Sequence, residues 1–161
     1  MNEEELTIKL HHRRATTFVK EKKLAEAIRE LQEVIRINPK DFTSYFMMAQ
    51  IYFASKKYDV ADKFCQQAII VNPQDVRPWL ILGNIYIARQ DYDTAISQLP
   101  KGIQTDPKNY QLKYLLGYSY AKKKDYPKAK QYLEEALTIE PGNKQAQQAL
   151  EVVQKALANP Q

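Results

Sequence analysis

Apolar positions along the chain fall into helical stripes that return at a fixed interval. Between residues 42 and 55, Tyr45, Met48, Ala49 and Tyr52 recur at the three- and four-residue spacing of one helix face. The pattern predicts helices near 42 to 55, 76 to 89 and 110 to 123. Each is followed by a partner, near 58 to 72, 92 to 105 and 126 to 140, and a first pair lies at roughly 6 to 21 and 24 to 38. Last, Ala146, Ala149, Leu150, Val153 and Leu157 form a stripe backed by Gln145, Gln147, Gln148 and Lys155. Such a helix packs one face and keeps the other in water.

Punctuation recurs with the stripes. Pro39, Pro73, Pro107 and Pro141 stand 34 residues apart. Ala27, Ala61, Ala95 and Ala129 lie twelve residues before them, Ala15, Ala49, Gly83 and Gly117 twenty-four before, and Phe18, Tyr52, Tyr86 and Tyr120 twenty-one before. Small residues at fixed places let two helices approach closely, and the aromatics fill the space beside them. Asp41, Asp75, Asn109 and Asn143 carry short acceptor side chains suited to the N-cap of the helix that follows each.

The third unit is the most explicit, with Trp79, Leu82, Gly83 and Tyr86, then Ala95 and Pro107. It resembles the tetratricopeptide repeat. The resemblance implies an all-α fold, a right-handed superhelical solenoid of antiparallel helix pairs. Four repeats, 8–41, 42–75, 76–109 and 110–143, with a capping helix over 144–158, make 1–161 one domain. The first repeat departs most, with His11 and Arg14 where the pattern has Trp and Leu; polar residues there suit a terminal unit with one face in solvent.

Charged residues make up 27% of the chain, and no apolar run approaches a membrane span. The acidic start, Met1-Asn2-Glu3-Glu4-Glu5, lacks the regions of a signal peptide, so a cytoplasmic protein is expected. The single Cys65 takes a place held by leucine in the other units and reads as a buried small hydrophobe. The two histidines, His11 and His12, are adjacent, and neighbours on a helix point about 100° apart instead of converging on a metal. No phosphate-cradling glycine loop, nucleophile elbow or cysteine pair is present, so neither enzyme activity nor a cofactor is expected.

Function is then expected on uncovered surface. A second stripe on the first helix of the second unit, Thr43, Phe46, Gln50 and Phe53, leaves that helix apolar nearly all round. The stripe continues as Arg77, Leu80, Asn84 and Ile87, then as Gln111, Tyr114, Tyr118 and Lys122. By the resemblance, these positions line a concave groove that holds peptides. Its amides at Gln50 and Asn84 suit a peptide backbone, and Phe46, Leu80 and Tyr114 suit apolar anchors. Tyr110, Tyr114 and Tyr118 form a ridge, the bland alternative being packing under the capping helix. The carboxylate clamp of chaperone-binding relatives maps to His12, Thr16, Met47, Arg77 and Ile81, where only Arg77 keeps a suitable cation, so the expected partner segment is apolar and not an acidic tail.

A second surface is basic. Lys20, Lys22 and Lys23, then Lys56 and Lys57, Arg89, and Lys122, Lys123 and Lys124 fall in the turns inside the units, and the net charge is +5. Solvated turns are the plain reading; an acidic protein, an anionic membrane or RNA is the alternative, with nucleic acid not favoured. Self-assembly, one groove accepting Leu6 to Leu10 or the last helix of another copy, is a third possibility. Pro100 inside a predicted helix removes a backbone bond to Ile96 and predicts a kink or an irregular turn.

Overall fold

A computed structural model describes residues 2–159; Met1 of the acidic start, and Pro160 and Gln161 at the other end, lie outside the described residues. Among the described residues there are nine helices and no strand: α1 Glu3–Lys20, α2 Leu24–Ile37, α3 Phe42–Ala54, α4 Tyr58–Val71, α5 Arg77–Ala88, α6 Tyr92–Thr105, α7 Tyr110–Lys122, α8 Tyr126–Ile139 and α9 Lys144–Ala158. The expected helices are all present. The first begins earlier than its apolar stripe, because Asn2 accepts from the Glu5 amide at 2.8 Å while Glu5 accepts from the Asn2 amide at 3.2 Å. That reciprocal cap, with Glu3, Glu4 and Glu5 at the positive end of the helix dipole, extends α1 past the apolar residues.

Three of the four expected caps form alike. Asp41 accepts from the Ser44 amide at 2.7 Å, Asn109 from Leu112 at 3.1 Å and Asn143 from Ala146 at 2.8 Å. Asp75 departs from the pattern. The residue three places on is Pro78, which has no N–H. Asp75 accepts instead from the Arg77 amide at 2.9 Å, and α5 starts at Arg77.

The turn inside each repeat is closed by a left-handed residue that is not glycine: Lys22 at φ 60°, Lys56 at 57°, Gln90 at 58° and Lys124 at 63°. The following amides, of Lys23, Lys57, Asp91 and Asp125, donate back to the carbonyls of Phe18, Tyr52, Tyr86 and Tyr120 at 2.8 to 3.0 Å. This is the Schellman arrangement, in which glycine avoids the Cβ strain of that conformation. Lys124→Gly is therefore expected to raise the stability to urea unfolding by up to about 1 kcal/mol, glycine's entropy cost offsetting part of the relief.

The helices group into two compact units, one ending at Ile81 and one beginning at Leu82. In the first, Ala15, Ala27, Leu31, Met48 and Ile51 form a buried cluster, with Phe18, Leu24, Tyr52 and Phe64 packed against it. In the second, Ala129, Leu133 and Val153 are fully buried, with Tyr114, Tyr120, Tyr126, Ala149 and Leu150 around them. The stripe on α9 thus packs as expected, except that its last member, Leu157, is 39% exposed. Cys65 is buried, and that burial, with Asp62 nearby, pushes its thiol up to about 12, so it stays a neutral, inert group.

Pro100 does not break its helix. α6 runs unbroken from Tyr92 to Thr105, which overturns the expected irregular turn. The buried residues Leu99 and Gly102 flank the proline, and packing of that face outweighs one missing backbone bond.

Candidate functional site

α3 displays apolar side chains around most of its circumference. Met48, Ala49 and Ile51 are buried, while Phe42, Phe46 and Phe53 remain half-buried, and Thr43 and Gln50 are exposed. Phe42 and Phe46, one turn apart, stack at 5.8 Å with 7° between their planes. The guanidinium of Arg77 lies over both rings, 5.2 Å from the centroid of Phe42 and 4.7 Å from that of Phe46. Its Nε donates to both Asp75 oxygens, at 2.9 and 3.1 Å, and its Nη2 to Oδ2 at 2.7 Å. Those bonds from Arg77 hold the Asp75 carboxyl below its ordinary range and raise the guanidinium in turn. The one clamp-like cation is therefore committed to Asp75 and to two phenyl faces. The missing N–H of Pro78 makes this possible, because it frees the Asp75 carboxylate from normal capping.

Of the other predicted positions of this unit, Leu80 is half-buried on α5, and Phe53 packs on Tyr58 at 5.8 Å. A cavity of about 290 Å³ opens beside Gln50, lined also by Val19, Leu24, Met47, Ile51 and Ala54. Of these six, the sequence reading singled out only Gln50 for the groove. Val19 and Leu24 escaped notice because they sit at a helix end and a helix start in the first repeat, where the stripe of the later repeats is not legible.

In the second unit Asn84, Gln111 and Lys122 are exposed, and Ile87, Tyr114 and Tyr118 are half-buried. Tyr118 meets Tyr114 at 6.1 Å and the edge of Tyr92 at 6.4 Å, and the Lys122 ammonium lies 5.2 Å from its ring centre. The contact of Tyr92 on α6 with Tyr118 on α7 emerges only in the folded unit. Tyr114 is more deeply set than expected. It packs against the cluster of Ala129, Leu133 and the α9 residue Val153, and burial, then Tyr118, raises its hydroxyl above the usual range.

The lysine edge is partly neutralised. Lys23 pairs with Glu21 at 2.7 Å and Lys123 with Asp93 at 3.0 Å. Among the described residues no ion pair holds Lys22, Lys56, Lys57 or Lys124, all of them exposed.

The histidines are structural ties. His11 Nδ1 meets Glu30 on α2 at 2.6 Å, and His12 Nε2 meets Asp41 at 3.0 Å and the buried Ser44 hydroxyl at 3.1 Å. Burial pushes the Asp41 carboxyl up, but bonds from His12 and from the Ser44 amide and hydroxyl outweigh it, and the net shift is downward. A lowered carboxyl contributes stability that is present above its unfolded value near 3.8 and lost as pH falls through the folded value. Glu135, lowered chiefly by Lys113, adds the same dependence in the second unit. Thermal unfolding followed by circular dichroism is expected to show a steep loss of stability below about pH 4. Asp41→Asn, which still caps α3 but cannot ionise, is expected to flatten that loss.

Among the described residues no group of three or more His, Cys, Asp or Glu is placed to hold a metal, and no helix is long and apolar enough to cross a membrane. None of the curated proteins compared matches the sequence. Solved structures match well in shape. A crystal structure of MamA aligns with a TM-score of 0.85 at 18% identity, covering 94% of this chain and 83% of that one. The MamA fragment 41-end from Desulfovibrio magneticus RS-1 gives 0.84 at 18%, covering 94% and 86%. YrrB, described as a TPR protein with an unusual peptide-binding site, gives 0.76 at 14%, covering 91% and 76%. At these identities the likeness shows the fold, that of the tetratricopeptide solenoids. Residues 8–41 match the tetratricopeptide repeat, and residues 41–157 match the family described as tetratricopeptide repeat protein 21 C-terminal ARM domain. Because that second match spans most of the chain, the chain belongs to the tetratricopeptide-repeat family.

Proposed function

We propose that this chain is a non-catalytic protein-interaction scaffold that binds an apolar or aromatic-bearing peptide segment. The observation that carries the reading is the set of aromatic rings left half-exposed on the first helices of the second and fourth repeats: Phe42 and Phe46 on α3, and Tyr114 and Tyr118 on α7. A helix spends one stripe on its own core, and rings outside that stripe lose water contact fully only against another molecule. Tyrosine and phenylalanine bring large contact area at low entropy cost, which suits them to binding. The exposed amide of Gln50 in the first unit, and that of Gln111 in the second, each suit a peptide backbone. YrrB, of the same fold, is described with a peptide-binding site, which supports a peptide as the ligand class. An adaptor or chaperone-like role in the cytoplasm fits this reading.

The test is to select peptides from a displayed random library on the purified chain and to measure the best of them by calorimetry at low and high salt. The expected outcome is an apolar or aromatic motif, salt-tolerant affinity, and a loss of about tenfold or more for Phe46→Ala and for Tyr114→Ala, with circular dichroism showing both variants folded. Unchanged affinity in both variants would overturn the assignment of these faces.

A further inference from the structure

We infer that the cavity beside Gln50 binds one large apolar side chain of a peptide whose flanking residues are acidic. The inference rests on the peptide-binding reading above and names the chemistry of its partner at one end of the first unit. The cavity, about 290 Å³, is walled by Val19, Leu24, Met47, Gln50, Ile51 and Ala54. All but Gln50 are apolar, so the space favours an apolar group.

Lysines flank its lining residues along the chain. Val19 and Leu24 bracket the first turn, which carries Lys20, Lys22 and Lys23; Ala54 immediately precedes the second, which carries Lys56 and Lys57. Two lysine turns therefore border one apolar cavity. All five lysines are exposed. Only Lys23 has its carboxylate, Glu21 at 2.7 Å, while no ion pair among the described residues holds Lys20, Lys22, Lys56 or Lys57. Lys22 and Lys56 also occupy left-handed backbone positions, φ 60° and 57°, where glycine is the relaxed choice. Closure of the turn explains the backbone shape but not the charge at both places.

A carboxylate set one or two residues from the buried anchor would reach these lysines and replace the absent counter-charges. Gln50 favours a peptide over a lipid, because its amide on the cavity wall offers a donor and an acceptor that a backbone satisfies and an acyl chain does not. The volume also suits one side chain better than a long acyl tail.

The test uses dye-labelled peptides and fluorescence anisotropy on the full chain. One peptide has a central leucine flanked by Asp and Glu; others keep the leucine with Ser or with Lys flanks; a fourth keeps the acidic flanks but replaces the leucine by Ser. At low salt the acidic leucine peptide is expected to bind about tenfold or more tightly than the Ser-flanked one, an advantage that high salt removes. The double variant Lys22→Glu, Lys56→Glu should abolish that advantage. Both side chains are exposed, and circular dichroism checks that the turns they close stay folded. Ala54→Trp, which fills the cavity from an exposed helix end, should weaken every leucine peptide and spare none.

Equal binding of Ser-flanked and acidic peptides, sensitive to Phe46→Ala but not to the lysine variant, would overturn this inference and leave the peptide scaffold standing. Equal binding of the leucine-free acidic peptide, or lysine-dependent binding of phosphatidylserine vesicles or single-stranded RNA in place of the leucine peptide, would also overturn it. Failure of every peptide in this set and in the library selection would overturn both readings.

Discussion

Gly117→Ala is expected to destabilise the second unit by about 1–3 kcal/mol, although alanine is the better helix former by about 1 kcal/mol. A Cβ added at Gly117 falls 2.9 Å from Leu133 Cγ, 3.1 Å from the Leu133 amide nitrogen and 3.2 Å from the Ala129 carbonyl oxygen. Two of those atoms are backbone of α8, and the third is the branch point of a fully buried side chain. None can turn aside, so α7 and α8 must separate. Gly83 makes the contrast. Its added Cβ meets Leu115 Cδ1 at 2.7 Å and Leu99 Cδ2 at 3.1 Å, both the far ends of side chains that can rotate. Gly83→Ala should therefore cost clearly less, and Gly142→Ala, whose Cβ meets only a Glu140 oxygen at 3.7 Å, should be neutral or slightly stabilising. Urea unfolding of the three variants tests the order; equal effects at Gly117 and Gly83 would contradict the close approach of α7 to α8.

Leu133→Ala should cost about 2–5 kcal/mol, the range for a fully buried leucine that leaves a cavity. Leu133 is 0% exposed in the cluster with Ala129 and Val153, and Tyr114, Tyr120 and Leu150 surround it. Its loss would loosen the seat of α9 and the half-buried ring of Tyr114 together, so peptide affinity at Tyr114 should fall along with stability. Combining it with Gly117→Ala gives a sharper result. Removing Leu133 Cγ opens room for the new methyl, so the double variant should be less destabilised than the sum, by about 0.5–3 kcal/mol. Relief stays incomplete because the Leu133 amide and the Ala129 carbonyl remain in the way. Strict additivity would mean that the two residues do not share one contact.

Helix order was legible because each repeat writes the same local instructions in residues that act locally. Short acceptors at Asp41, Asn109 and Asn143 bond amides three residues ahead, and such bonds depend on nothing distant. Asp75 looked identical by spacing. It behaves differently because Pro78 sits where its partner amide should be, a conflict that was readable in the sequence and became informative only once Arg77 was seen to take the freed carboxylate. Pro100 works in the opposite sense: of the kink or irregular turn that the local rule allows, the irregular turn does not form, because burial of Leu99 and Gly102 keeps α6 unbroken.

The candidate site was legible by position but not by contact. The stripe picked out Phe46, Tyr114 and Tyr118 by position alone; it could not show that Arg77 is stacked and paired, or that Tyr114 leans on the core near α9. Repetition of small residues, prolines and caps by itself determined the number of helices, their order and the pairing of neighbours, because those features act over a few residues. Only the tertiary structure decided which exposed groups are spent and which remain available. Lys123 against Asp93, Arg77 on Phe42 and Phe46, and the apolar cavity beside Gln50 all depend on side-chain reach between residues distant in the chain.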